Sequence, residues 1–584
     1  MTEFTAVTPA AVRGALLARA EIALLDVRQE GPFAEGHPLF AASFPLGRLE
    51  ALAWERLPRR SVPVVVYGDG SGDAEAAARR LRRLGYTDVS VLAGGLAGWT
   101  AAGGELFRDV NAPSKAFGEL VAETAKTPSL PAGEVAALLC GTGTSGAGSA
   151  GAGSAGAGSA GAGTSGAGSS GVGPSAVVVV DARRFEEYRT MSIPTAISVP
   201  GAELALRVRE LAPDRSTTVV VNCAGRTRSI IGAQSLINAG LPNPVVALRN
   251  GTIGWALAGL ELDHGQLRQV PAVSAETARQ ADAAAWIVAD RAGVRRAGDA
   301  GLRRLDSGTR TVYRFDVRTP PEYERSHRPG FRPAPGGQLV QETDWFAPVR
   351  GALLVLDDDR GGRAAMTASW LAQMGWDVVV ASADAASDAA SDGVPAHGAW
   401  APDRPPAPDV PGAAPALVER WLRTGGTRVV DVDTSRAFLA GHLPGAAWAL
   451  RADLPHPELT DRLGLPHRLV LTSSDGYLAS WAAADLADAG LPWLRGTELA
   501  VLDGGTEGWA RSGRAVEDGP GEMLSAAVDL YRRPYEGTSV DPEVMQAYLD
   551  WEYGLVAQLE RDGTHGFTVL TPSRGGRERA AECR

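Results

Sequence analysis

The chain has 584 residues and a formal net charge of −11, with 57 Lys and Arg against 68 Asp and Glu, a balance that argues against a general polyanion binder. No apolar run approaches the roughly 20 residues of a membrane span, and Met1 to Ala10 has neither the basic start nor the apolar core of a signal peptide, so a cytoplasmic protein with no nucleic-acid or membrane partner is expected. Only Cys140, Cys223 and Cys583 are present, too few for a disulfide framework and in keeping with a reducing compartment.

In chain order, an apolar run ends in Asp26, and the pieces that follow read as strand Val62 to Tyr67, helix Asp73 to Leu84 and strand Val89 to Leu92. The same ladder returns three times. The first run ends in Asp26, Asp181, Asp316 and Asp431; 42 residues later a second run ends in Gly68, Cys223, Asp358 and Ser473; 17 residues further on stand Gly85, Gly240, Gly375 and Gly490. Equal spacing in four copies argues for duplicated domains of one fold. Continuous apolar strands with intervening helices make that fold α/β, with a mostly parallel sheet.

Between a helix near Pro131 to Leu139 and the strand Val177 to Asp181, residues 141–173 are almost entirely Gly, Ala and Ser. That stretch cannot bury a core and reads as an insertion within the second unit. A loose stretch from Ala381 to Pro415 separates the third unit from the fourth. Beyond Gly521 the chain reads as a terminal helical region: Pro542 opens a run that ends at Gly554, with an aromatic stripe suited to core packing.

The most informative segment is Cys223-Ala-Gly-Arg-Thr-Arg-Ser229, a thiol delivered by a strand into a short loop with two arginines and then a helix starting near Ser229. Loop N–H groups, the positive end of that helix and the cations Arg226 and Arg228 are expected to lower the thiol's pKa. Gly68, Asp358 and Ser473 hold the cysteine position in the other units, and none can form a persulfide. Ser192 falls where the other units have His37, His327 and His442; those histidines read as turn residues, and no His/Cys cluster has zinc spacing.

These residues resemble the rhodanese family of sulfurtransferases. The resemblance rests on Asp-Val-Arg or Asp-Ala-Arg after the first strand (Asp26 to Arg28, Asp181 to Arg183, Asp316 to Arg318), on the loop Cys223 to Ser229, and on the endings Gly94 to Trp99, Asn250 to Trp255 and Gly504 to Trp509. The third unit lacks such an ending. The resemblance implies four rhodanese-like domains, each a mostly parallel sheet flanked by helices, plus a C-terminal helical region. The expected spans are 1–112, 113–270 with the insertion 141–173, 271–407 and 408–520, followed by 521–584. Only the second would be catalytic, with unit one covering unit two and units three and four forming a thiol-free pair.

The implied reaction moves a sulfur atom from a small anionic donor such as thiosulfate to cyanide or a thiol through a Cys223 persulfide, without cofactor or metal. Ala224, Gly225, Arg226, Thr227, Arg228 and Ser229 would form the cradle, which is one residue shorter than the Cys-x5-Arg loop of phosphatases with this kind of fold and so suits a single terminal sulfur better than phosphate. Arg183 would line the anion pocket or pair with Glu186 or Glu187. Cys140 or Cys583 could accept sulfur, as could a partner protein. The reading from another class is a non-catalytic scaffold, or a binding protein that senses an anion or the redox state.

Overall fold

The computed structural model describes residues 3–142, 177–305, 308–382, 395–456, 459, 462–464, 466–536 and 541–571. Cys583 and nearly all of the Gly/Ala/Ser insertion lie outside the described residues. Four sheets share one strand order. In the second unit it runs Ser129–Leu130, Val245–Leu248, Thr218–Asn222, Val177–Asp181, Ile197–Ser198, all parallel. The central strands are buried on both faces because they are almost wholly β-branched, as Val177–Asp181 and Thr218–Asn222 illustrate. Helices then cover both faces, so the chain is α/β throughout.

Each first strand ends in an aspartate, and its partner strand delivers the loop residue one position past the sheet, at Gly68, Cys223, Asp358 or Ser473. The corresponding loops therefore stand at the same carboxyl edge of four sheets, where open α/β sheets place their ligands.

The units do not pair as the resemblance suggested. The third contributes Val349–Arg350 as an antiparallel strand to the sheet of the first, against Ile22 and Ala23. The first meets the fourth where Gly47 packs on Arg451, and the second meets the third where Gly201 packs on Gly337. These contacts use the same part of each unit, just after the short third strand, and both are locked by buried arginines. Arg451 binds Glu50 at 2.6 Å and Asp485 at 2.8 Å; Arg363 binds Glu203 at 2.9 Å. Through this part of each unit the first meets the fourth and the second meets the third, while the first and third share a sheet.

The C-terminal region ties the four units together. Glu522–Met523 extends the fourth sheet, Val528 accepts from Gly31 of the first unit, and the helix Pro542–Tyr553 lies over the Cys223 loop. The helix Leu555–Asp562 returns to the first unit, where Gln558 donates to the Leu106 carbonyl at 2.9 Å, and Thr568 donates to Gln373 of the third. Among the described residues no helix is long and apolar enough to cross a membrane.

Candidate active site

The loop is held in shape by the glycine-rich ending of its own unit. Asn250 and Gly251 both adopt positive φ, 61° and 56°, so the N-terminus of the helix Gly251–Leu257 turns back under the loop. Thr252 N–H donates to the Cys223 carbonyl at 2.9 Å and Ile253 N–H to that of Ala224 at 3.0 Å. A Cβ at position 251 would lie 2.3 Å from the Cys223 carbonyl oxygen, so only glycine fits there. The fourth unit repeats this with Gly505 against Ser473. The motif's tryptophans close the three units that carry it, with the Trp255 indole donating to the Glu261 carbonyl at 2.8 Å.

Cys223 is only 1% exposed. Its Sγ donates to Ser229 Oγ at 3.4 Å, and that hydroxyl donates to the Arg226 carbonyl at 2.8 Å. The helix that follows is Thr227–Asn238, starting two residues earlier than expected, so Arg228 sits in its first turn. The thiol's pKa is raised, contrary to expectation: burial pushes it up, and Arg228 and the Ser229 hydrogen bonds only partly oppose this. The arginines do not outweigh burial, and each is paired with a carboxylate. Arg228 forms a two-pronged pair with Glu187 at 2.7 and 2.9 Å, and Arg226 forms one with Glu119 at 2.7 Å to each oxygen. Arg226 also donates to Tyr553 Oη at 2.7 Å and stacks on its ring. Despite its burial, Arg228 holds the Glu187 carboxyl down to about 2. The loop is therefore lined by neutralised pairs, not by bare cations.

Arg183 takes neither expected role. It is 1% exposed and grips its own Asp181 at 2.9 and 2.8 Å, with a third bond to the Met191 carbonyl. Arg28 and Arg318 do the same with Asp26 and Asp316, so the Asp-x-Arg motif fastens the first strand end in units with and without a thiol. His37, His327 and His442 stack on Phe33, Tyr323 and Phe438 and hydrogen-bond to backbone carbonyls. Among the described residues no cluster of His, Cys, Asp or Glu is arranged to hold a metal. Cys140 is an exposed thiol in the helix Ala132–Thr142.

The third unit shows where the N–H groups of this loop point. Asp358, in the cysteine position, turns its carboxylate inward and accepts from the backbone N–H of Arg360 at 2.8 Å, of Gly361, and of Ala364 at 2.9 Å. Ala364 is six residues past Asp358, as Ser229 is past Cys223 and Ala479 past Ser473, and Ala479 N–H likewise donates to Ser473 Oγ. In the third unit the loop's N–H groups thus converge on one carboxyl, although burial pushes that carboxyl's pKa up.

Several residues of the site come from outside the Cys223 loop and its flanking strand and helix, and were missed in the sequence. The helix Ala112–Ala125 crosses Thr227–Asn238 with Gly118 against Thr227, and supplies Lys115 and Glu119. The helix Pro542–Tyr553 supplies Tyr548, Glu552 and Tyr553; Tyr548 packs with Ala224, Ile253 and Tyr535. One signal existed: Glu552 lies four residues after Tyr548, an acid on the apolar stripe of its helix.

A family model described as a rhodanese-like domain matches residues 9–102, 170–258 and 414–512. The chain is 53% identical to the crystal structure of thiosulfate sulfurtransferase from Pseudomonas aeruginosa, covering 97% of this chain and 100% of that one with a TM-score of 0.87. A rhodanese-like domain of an Anabaena protein is 35% identical over 15% of this chain and 93% of its own, with a TM-score of 0.15. Among curated proteins, an HTH-type transcriptional regulator of Mycobacterium tuberculosis is 39% identical over 89 residues, 15% of this chain and 38% of that protein. With a near full-length match at this identity, the chain belongs to the rhodanese family of sulfurtransferases.

Proposed function

We propose that Cys223 carries sulfur from thiosulfate or a related anionic donor to cyanide or a thiol. The Cys223 thiolate attacks the outer sulfur of thiosulfate; the S–S bond of the donor breaks, sulfite leaves with the bonding pair, and Cys223 persulfide remains. Cyanide or a thiolate then takes the terminal sulfur and returns the thiolate, so each half-reaction balances in charge and atoms. Loop N–H groups from Ala224 to Ser229 stabilise the persulfide anion, as those of the same loop in the third unit converge on a carboxyl. That cradle, with a thiol at its head in the second unit alone, is the observation that carries the proposal. The 53% identity to a protein described as a thiosulfate sulfurtransferase supports the choice of donor.

Arg226 and Arg228 act in this reading as loop-fixing residues whose carboxylate partners balance them, and Arg183 acts on the scaffold. Units one, three and four are non-catalytic. The free thiols Cys140 and Cys223 fit a reducing compartment, and we place the protein in the cytoplasm. Mass spectrometry after thiosulfate treatment is the test. One sulfur atom's mass on Cys223, removed by cyanide and absent from Cys223→Ser, is expected; no such adduct with thiosulfate or any other sulfane donor sinks the proposal.

A further inference from the structure

The helix Pro542–Tyr553 places one carboxyl directly on the cysteine loop. Glu552 is 1% exposed, and its Oε1 accepts from Tyr548 Oη at 2.9 Å. Its other oxygen, Oε2, has no hydrogen-bond partner and points at the loop: a Cβ on Gly225 would lie 3.1 Å from it. A buried polar atom left without a partner is costly unless something else meets it. With Oε1 occupied as an acceptor, the proton of a neutral carboxyl belongs on Oε2, which then aims a hydrogen-bond donor at Gly225 of the cysteine loop. Arg226 and Arg228 do not fill this role, since they spend their charge on Glu119 and Glu187.

We propose that Glu552 is a donor-contacting residue of the Cys223 site, donating through Oε2 to the sulfonate oxygens of a thiosulfate-type anion at the loop. The inference rests on the sulfurtransferase reading above and adds to it a specificity-determining group supplied from outside the catalytic unit. Its neutral state has a physical basis. Burial pushes the carboxyl up to about 8, with Lys115 opposing and Glu119 reinforcing the shift. The groups facing it are Tyr548 on its own helix, Lys115 and Glu119 on Ala112–Ala125, and Arg226 on the loop, with Cys223 at the edge and Tyr535 packed edge-on to Tyr548. Lys115 is held by Asp109 at 2.8 Å. Glu552 gives no proton away in the reaction; it holds the donor's oxygens while sulfite departs. Once ionised it repels the same anion.

The test is steady-state kinetics with thiosulfate and cyanide from about pH 6 to about pH 10 on the full chain, for wild type, Glu552→Gln and Glu552→Ala. Wild-type KM for thiosulfate is expected to climb as pH passes about 8, while ionisation of the thiol moves kcat. Glu552→Gln keeps an N–H donor and loses the titration, so its KM stays near the wild-type neutral value and becomes flat with pH. Glu552→Ala raises KM at neutral pH by about tenfold, the size of one lost hydrogen bond to a charged group. If Glu552→Gln retains the wild-type climb in KM, the proposal is overturned, whether or not the alanine variant folds. Sulfur loading of Cys223 is measured in parallel: wild type without the adduct would overturn the sulfurtransferase reading itself, whereas an adduct with an unaltered Gln profile removes only the role of Glu552.

Discussion

Glu187 decides how much of the Arg228 charge reaches the sulfur. It is ionised throughout the accessible pH range, and its two-pronged grip turns a cation beside Cys223 into a neutral pair. Glu187→Gln leaves Arg228 uncompensated, so the thiolate gains stability. The expected result is a downward shift of about one unit in the pH midpoint of Cys223 alkylation, measured with iodoacetamide, together with a lower Tm because a part-buried pair is broken. A midpoint that does not move would show that burial alone sets the thiol's ionisation. A second residue, Asp431, reports the loss of a motif. The arginine that pairs with its counterparts is Asp433 here, and burial pushes the Asp431 carboxyl up to about 7. With the folded pKa above the unfolded one, the native chain binds the extra proton between about pH 4 and pH 7, so stability falls as pH rises through that window. Asp431→Asn should therefore raise the free energy of unfolding relative to wild type by an amount that is small at pH 4.5 and grows toward pH 8, on the order of a few kcal/mol at the upper end, seen as a Tm difference that widens with pH.

At the scale of elements, the turn that carries Gly251 couples the end of the unit to the reactive loop. Gly251→Ala forces a Cβ against the Cys223 carbonyl at a positive φ that other residues resist. The loop must shift, and sulfur loading of Cys223 by thiosulfate should drop by about tenfold or more while far-UV circular dichroism stays as in wild type. Normal loading would mean the loop tolerates the displacement. The sequence displays this much because strands, loops and glycine endings recur at fixed offsets: the 42-residue step from Asp181 to Cys223 locates both strand ends, and Gly251-Thr-Ile-Gly-Trp255 announces the turn. What it hides is partnership across the chain. Glu119 lies 107 residues from Arg226, Tyr553 lies 327 from it, and Glu187 lies 41 from Arg228. An arginine next to a cysteine looks like a free cation until the folded chain brings a carboxylate to it, so the direction of the thiol's pKa could not be read from spacing. Asp181 and Arg183 differ only in degree, since their pairing spans two residues and repeats in two other units.

Over the whole molecule, the C-terminal strap links the docking of the fourth unit to the cover over the second. The strap leaves the fourth sheet at Glu522–Met523, is pinned beside it where Ser435 N–H donates to Asp529 at 2.7 Å, crosses the first unit at Gly31 and Glu30, and only then reaches the Cys223 loop with Tyr548 and Glu552. The fourth unit is itself fastened to the first through Arg451, 1% exposed, between Glu50 and Asp485, with Arg80 completing the network at 2.9 Å from Asp485. Removing one member of such a buried pair strands the other, at a cost of about 3–5 kcal/mol, whereas replacing both by apolar side chains is close to neutral. Arg451→Met should thus produce an earlier calorimetric transition for the fourth unit, and the Glu50→Leu/Arg451→Met pair should return it toward the wild-type position. If the strap transmits docking, the single variant also makes Cys223 react severalfold faster with iodoacetamide at fixed pH, and the double variant does not. An early transition with unchanged Cys223 reactivity would mean that the strap is anchored well enough by the first and third units, through Gln558 and Thr568, to keep the loop covered without the fourth.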